Sequence, residues 1–316
     1  MAAAAVSAVL LAAAGCGDSE SSTSGDKKTV VVTYSVLGAV VRDLVGDAAD
    51  VVVLMPNGID PHDWEPSAKD IEAVTSADLV VANGLELEET LEDTLAEAAD
   101  SGVAVFFAGD HVAVRSIGDG EIPADEHAEE GDEHAEEGDE HAHEHGVGSN
   151  DPHLWMSPVV MAEVAAALVP VLVEAGIDVE DRGDTVAADL IALDAEVASV
   201  LASIPEEDRT LVTGHESLGY FADQYDFRLV GAVVPSLSSQ AEASAGELAE
   251  LKEKIEAEGV RVIFTEIGTP AAVVDALAAE AGVDVVELGT HNLPDDGTYR
   301  SFMLAIAEAI AAGLSA

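Results

Sequence analysis

The chain is poor in positive charge. Twelve lysines and arginines stand against 63 aspartates and glutamates, a formal net charge of −51 over 316 residues. That scarcity argues against nucleic acid and against an anionic membrane face as partners, because both are bound through Lys and Arg. A field so negative concentrates cations near the surface, and the same acidity serves solubility. Cysteine is almost absent: Cys16 stands alone, so an exported mature chain has no internal disulfide. Beyond the N-terminus no apolar run is long and uninterrupted enough to span a bilayer. There is also no His-Glu-x-x-His run, the helical signature of many zinc hydrolases.

What is present begins with a small apolar stretch over residues 2–14. Gly15 and Cys16 follow, then a tether rich in Ser, Gly and Asp over residues 17–25. This order resembles a bacterial lipoprotein signal, with Cys16 as the lipidated first residue of the mature protein. It departs from that pattern in two ways: no Lys or Arg precedes the apolar run, and Ala13 stands where such signals carry Leu. The alternatives are a signal peptide without lipidation and a buried free thiol. Residues 1–28 are thus expected to be signal and tether, and the protein to be exported to the periplasm or cell surface.

β-Branched runs predict strands over residues 29–34, 50–55, 78–82 and 103–107. Helices are expected between them, with Ser35 as one cap and Ser67 with Asp70 as a capping box. Two apolar-periodic helices follow, over residues 157–175 and 180–203. The strand and helix pattern then recurs, with strands over 210–213, 228–233, 260–265 and 284–288. Four strands alternating with helices, twice over, predict an α/β fold of two four-stranded parallel sheets. The expected divisions are residues 29–179, a connecting helix over 180–203, and residues 204–316.

Between the fourth strand and residue 150 lies a repeat. Residues 126–132 recur as 133–139, placing His127 and His134 in step, and His141, His143 and His145 follow. With no bulky apolar side chain the repeat cannot bury enough surface to offset its ordering entropy, so disorder is expected over about residues 118–149.

Four other histidines share a position. His62, His153, His215 and His291 each follow a predicted strand, two in each half. Open α/β sheets bind ligands outside the carboxyl ends of their strands, so four imidazoles can converge if those edges face each other. Neutral imidazole suits zinc in a tetrahedral site. Calcium or magnesium would want an oxygen cage, and manganese more carboxylate. Asp60, Glu65, Asp151 and Glu216 are candidates for orienting the imidazoles. His111 is expected at the surface. Trp64, Trp155 and Phe221 are expected to pack around the site, and Glu266 to be a structural hydrogen-bonding carboxylate.

Three segments carry a family resemblance: Ile-Asp-Pro-His-Asp-Trp-Glu-Pro around His62, Asp-Pro-His-Leu-Trp-Met-Ser-Pro around His153, and Thr-Gly-His-Glu-Ser-Leu-Gly-Tyr-Phe around His215. They resemble the metal-ligand motifs of the zinc and manganese substrate-binding proteins of bacterial ABC importers, and the His-rich insert is similar to that of the zinc members, the ZnuA type. The resemblance covers roughly residues 29–316. It implies two Rossmann-like lobes joined by a rigid helix, with Zn²⁺ held between them by His62, His153 and His215. At the fourth position many relatives carry Asp or Glu. Here His291 is the expected ligand, with water or a carboxylate such as Glu65 as alternatives.

The implied function is extracytoplasmic zinc capture by a monomer that hands the ion to a permease driven by a cytoplasmic ATPase. The His-rich tract would collect zinc, deliver it or moderate its uptake, or else be a solvated tract with incidental affinity. The competing readings are a zinc-dependent hydrolase, whose three-His site keeps a water position open, and a manganese-binding or adhesin-like member of the same family.

Overall fold

A computed structural model describes residues 27–117 and 148–315. The N-terminal apolar run, Cys16 and the His-rich repeat lie outside the described residues.

The β-branched run of the first half forms strand β1 (Lys28–Tyr34), flanked by β2 (Ala49–Met55) and β3 (Leu79–Ala82), with β4 (Ala104–Phe107) at the edge. All pairings are parallel and the strand order is β2-β1-β3-β4. Helices α1 (Ser35–Val45), α2 (Ala68–Ser76) and α3 (Glu92–Asp100) make the crossovers. Val30, Val31 and Val32 have no exposed surface, because helices cover both faces of the sheet. The second half repeats the plan with β5 (Thr210–Thr213), β6 (Arg228–Ala232), β7 (Val262–Thr265) and β8 (Asp284–Glu287), in the order β6-β5-β7-β8. Its helices are α6 (Gly219–Gln224), α7 (Ala245–Glu258), α8 (Ala271–Ala281) and the closing α9 (Tyr299–Leu314). In each sheet the first strand lies between the next two in sequence. That topological switch point opens a crevice at the carboxyl ends.

Between the halves run α4 (Pro158–Glu174) and α5 (Glu180–Leu201). Val186, Leu190, Leu193, Val197 and Leu201 form one buried stripe along α5. The helix packs on α1 and α4 from one side of the chain and on α9 from the other. Each such side chain contributes about 1.5–3 kcal/mol by leaving water. The central core therefore runs unbroken through both halves, whereas the other face of each sheet has a smaller core of its own. Among the described residues no helix is long and apolar enough to cross a membrane.

The expected α/β architecture with two parallel sheets is observed. The Ser67–Asp70 capping box forms, with Ser67 N donating to Asp70 Oδ2 at 2.8 Å. Ser35 does not cap α1: it is the first helical residue, and no side chain caps that end. The helix expected between the third and fourth strands begins as a short 3-10 turn, Glu89–Leu91. Its start is delayed because Leu85 and Glu86 take left-handed backbone angles, φ 58° and 63°. The buried Glu88 carboxylate holds that turn by accepting from Asn83 N at 2.7 Å and Gly84 N at 3.0 Å.

Candidate metal centre

His62 sits on a single 3-10 turn, Pro61–Asp63, after β2. Proline at the first position presets the backbone angle, and Asp60 caps the turn by accepting from His62 N through Oδ1 at 3.0 Å. His153 precedes another such turn, Leu154–Met156. Asp151 does not cap that turn, whose first end is His153 itself, but its Oδ1 accepts from His153 N at 2.9 Å and lies 2.8 Å from His153 Nδ1. His215 comes two residues after β5. Its main-chain N donates to Glu266 Oε1 at 3.1 Å, and its Nδ1 lies 2.8 Å from that oxygen. Glu266 is the residue immediately after β7 and is further held by Ser217 Oγ at 2.7 Å. Gly214 permits this approach, since a Cβ there would stand 2.2 Å from Thr269 Oγ1.

These placements bring three rings together. His62 Nε2 lies 3.5 Å from His153 Nε2, which lies 3.1 Å from His215 Nε2. His153 and His215 are fully buried and His62 is half-buried. Among the described residues this trio is the only group of three or more His, Cys, Asp or Glu whose ligand atoms all fall within 4.8 Å of one another.

The carboxylates behind two of the rings decide what the cluster can do. An imidazole whose Nδ1 faces a carboxylate keeps its proton there and presents the Nε2 lone pair forward. Asp151 and Glu266 therefore turn two lone pairs toward each other at 3.1 Å. A proton on one of the two nitrogens, or a metal cation between them, relieves that arrangement. Zn–N bonds of about 2.0–2.1 Å in a tetrahedron set neighbouring nitrogens about 3.3 Å apart. The separations of 3.5 and 3.1 Å lie on either side of that edge length.

Burial pushes the His215 pKa down, but Glu266, Asp60 and Glu216 together outweigh it and leave the ring above its usual 6.5. Glu266 itself is driven down to about 2: burial raises it, and His215, Ser217 and His291 more than reverse that. Burial lowers His291 to about 4, reinforced by His215 and His153 against the opposing Asp60 and Glu266. His291 is thus neutral at physiological pH.

His291 stands beside the trio rather than in it. Its ring stacks on that of His215, centroids 6.4 Å apart at 15°. Nδ1 lies 3.2 Å from Thr290 Oγ1, and the buried Nε2 has no hydrogen-bond partner. Glu65 is exposed and is not a member of the cluster. Asp60 orients the His62 turn through the main chain, and Glu216 acts on His215 through its charge. Trp155 and Phe221 are fully buried packing residues, as expected, and Trp64 is half-buried against the core. His111 is exposed and stacks on Phe106. Glu266 is the structural hydrogen-bonding carboxylate expected, and its pairing with His215 is visible only in the fold. The positional rule that found the histidines, a polar side chain just past a strand end, applies to Glu266 equally well.

Contacts cross the cleft on both sides of the trio. Ser239 Oγ donates to Asp60 Oδ2 at 2.5 Å. Gly58 N donates to His291 O at 3.1 Å, and the Asn57 side chain donates to Leu293 O at 2.8 Å while accepting from Leu293 N at 2.6 Å.

Two parallel α/β lobes that meet at their strand ends, with donors from both at the seam, define a substrate-binding protein that clasps a small ligand. The family model for the periplasmic component A of the zinc-uptake complex matches residues 30–313, and the chain belongs to that family. It is 32% identical over 291 residues to the high-affinity zinc uptake system protein ZnuA of Bacillus subtilis, covering 90% of this chain and 86% of that protein. It is 26% identical over 318 residues to the manganese-binding lipoprotein MntA of Halalkalibacterium halodurans, covering 97% and 96%. The solved structure of the periplasmic zinc-binding protein TroA from Treponema pallidum superposes with a TM-score of 0.72 at 25% identity, covering 91% of this chain and 99% of that one.

Proposed function

We propose that this protein captures Zn²⁺ outside the cytoplasm and delivers it to the permease of an ABC importer powered by a cytoplasmic ATPase. His62, His153 and His215 supply three imidazole nitrogens. The observation that carries the reading is the convergence of their Nε2 atoms at 3.1 and 3.5 Å, two of them with carboxylates behind the ring. His291 supplies the fourth nitrogen by a small rotation of a neutral ring whose buried Nε2 lacks a partner. The ion is cargo, so binding without chemistry on it is sufficient.

In this reading residues 29–179 and 204–316 are the two lobes and residues 180–203 the helix between them. A monomer suffices, since both lobes belong to one chain. Lipidation of Cys16 would tether it at the membrane face, and the histidines of the acidic repeat would gather zinc near the cleft. A manganese cargo is disfavoured by a trio made of imidazoles alone, because manganese prefers carboxylate and water oxygen. Diffraction with anomalous scattering at the zinc edge, on crystals grown with equal zinc and manganese, tests the assignment. A zinc peak within bonding distance of the three Nε2 atoms is expected; a manganese peak, or no peak there, refutes it.

A further inference from the structure

Arg115 has no part in the ligand set, yet it links the ligand set to the opposite half of the molecule. It lies where the chain leaves the first sheet, and its main-chain O accepts from Asp151 N at 2.8 Å; next to it Ser116 and Asn150 form an antiparallel bridge. Its side chain, 10% exposed, extends between two carboxylates. Nη1 lies 3.4 Å from Asp151 Oδ2, and Nε donates to Asp223 Oδ2 at 2.9 Å. Its main-chain N donates to Tyr220 Oη at 2.9 Å. Tyr220 and Asp223 are three residues apart on α6, hence on one face of that helix. α6 begins four residues after His215 and belongs to the second half.

Asp151 is the joint of this assembly. It is wholly buried, and its Oδ1 is committed to His153. A buried carboxylate is costly unless its charge is compensated, and Arg115 meets the remaining oxygen. Gly219 at the head of α6 leaves room for the arrangement: a Cβ there would stand 2.4 Å from Asp151 Oδ2 and 2.5 Å from Arg115 Nη1. The chain of contacts from α6 through Arg115 and Asp151 to the His153 ring is therefore continuous and closely packed.

We infer that Arg115 is a positioning residue for zinc retention: it transmits the position of α6, in the second half, through Asp151 to the imidazole of His153 in the first. Closing the halves then orients His153, and separating them lets it go. Charge compensation alone would stabilise the free and the zinc-loaded protein alike. A strut between halves acts on the rate at which zinc leaves.

The inference rests on His153 being a ligand, so the experiment separates the two claims. Zinc release from the full-length protein into an excess of chelator is followed by stopped flow. Arg115→Ala, Arg115→Lys, Asp223→Asn, Gly219→Ala and His153→Ala are compared with the unaltered chain, and each is melted without metal. Arg115→Ala is expected to release zinc at least about tenfold faster, in the range seen when a partner behind a ligand is removed. Arg115→Lys should recover part of that loss, and Asp223→Asn should speed release about threefold, reflecting an end that is 67% exposed. The double variant that combines Arg115→Ala with Asp223→Asn should release no faster than Arg115→Ala alone. Release at the wild-type rate from Arg115→Ala, or an effect wholly accounted for by the metal-free melting temperature, overturns the inference. If Arg115→Ala does not fold, Asp223→Asn and Gly219→Ala decide: faster release in either sustains the inference, and wild-type release in both overturns it. Tight zinc binding by His153→Ala would instead overturn the ligand assignment.

Discussion

Each half of the molecule sends two histidines to the seam, and in each half one of the two has a carboxylate behind its ring. His153 from the first half and His215 from the second are fully buried, each with a carboxylate oxygen 2.8 Å from Nδ1. His62 is half-buried and is placed through its main chain by the Asp60 cap. His291 is buried against a threonine hydroxyl. A carboxylate behind the ring fixes tautomer and direction together. A capped turn fixes where the residue starts and leaves the torsions of the ring to its surroundings. One ring-anchored histidine per half makes a preset pair; in the proposed site the other two would close around the ion that pair has caught.

The comparison predicts a graded response in zinc affinity measured by calorimetry. Removing an anchored ligand should hurt most: His153→Ala and His215→Ala are each expected to weaken binding at least about a hundredfold, beyond the usual effect of an orienting partner. Glu266→Gln and Asp151→Asn should follow, at about ten- to a hundredfold. If His62→Ala, expected at about tenfold, cost as much as the anchored pair, the distinction between the two kinds of histidine would fail. His291→Ala should be the mildest, a few-fold, because water can take a fourth zinc position.

Acid sharpens the same contrast. With its pKa above the usual 6.5, His215 takes up a proton before an ordinary histidine would. In the metal-free protein its pairing with Glu266 therefore adds stability below the ordinary histidine value, and that contribution is lost as pH rises through the raised one. Zinc requires the neutral ring, so binding has the opposite sign. The rise in melting temperature produced by zinc should shrink as pH falls from 8 to 5. His291, held near 4, remains neutral over that window. A zinc-induced shift that stayed constant across the range would place the ion away from His215.

Much of the fold was readable because parallel strands buried on both faces leave an unmistakable trace. Val30-Val31-Val32 and Leu79-Val80-Val81 cannot be anything but interior, and all eight strands lie within two residues of expectation. Local signals failed where tertiary contacts outweighed them. Leu85 and Glu86 adopt left-handed angles because the buried Glu88 pulls two main-chain amides into a tight turn. Ser35, a good cap by type, continues straight from β1 into α1. At the site, strand-end position picked out the histidines, since topology alone puts such residues on the ligand edge. It carried no information about which carboxylate backs which ring. Asp151 and His153 are two residues apart and could be paired by eye, whereas Glu266 and His215 are 51 apart.

The order of residues along the chain determined the two parallel sheets, the edge on which each histidine falls and the acidity that favours a cation. These follow from periodicity, from chain direction and from charge, which are properties of the sequence itself. Only the folded molecule decided that three Nε2 atoms face one another, that Glu266 lies against His215, that His291 stands one ring outside the cluster and that Arg115 spans the halves. Those distances depend on how two separately wound sheets are set against each other by α5 and the core it shares with α1, α4 and α9. No stretch of sequence encodes that packing locally.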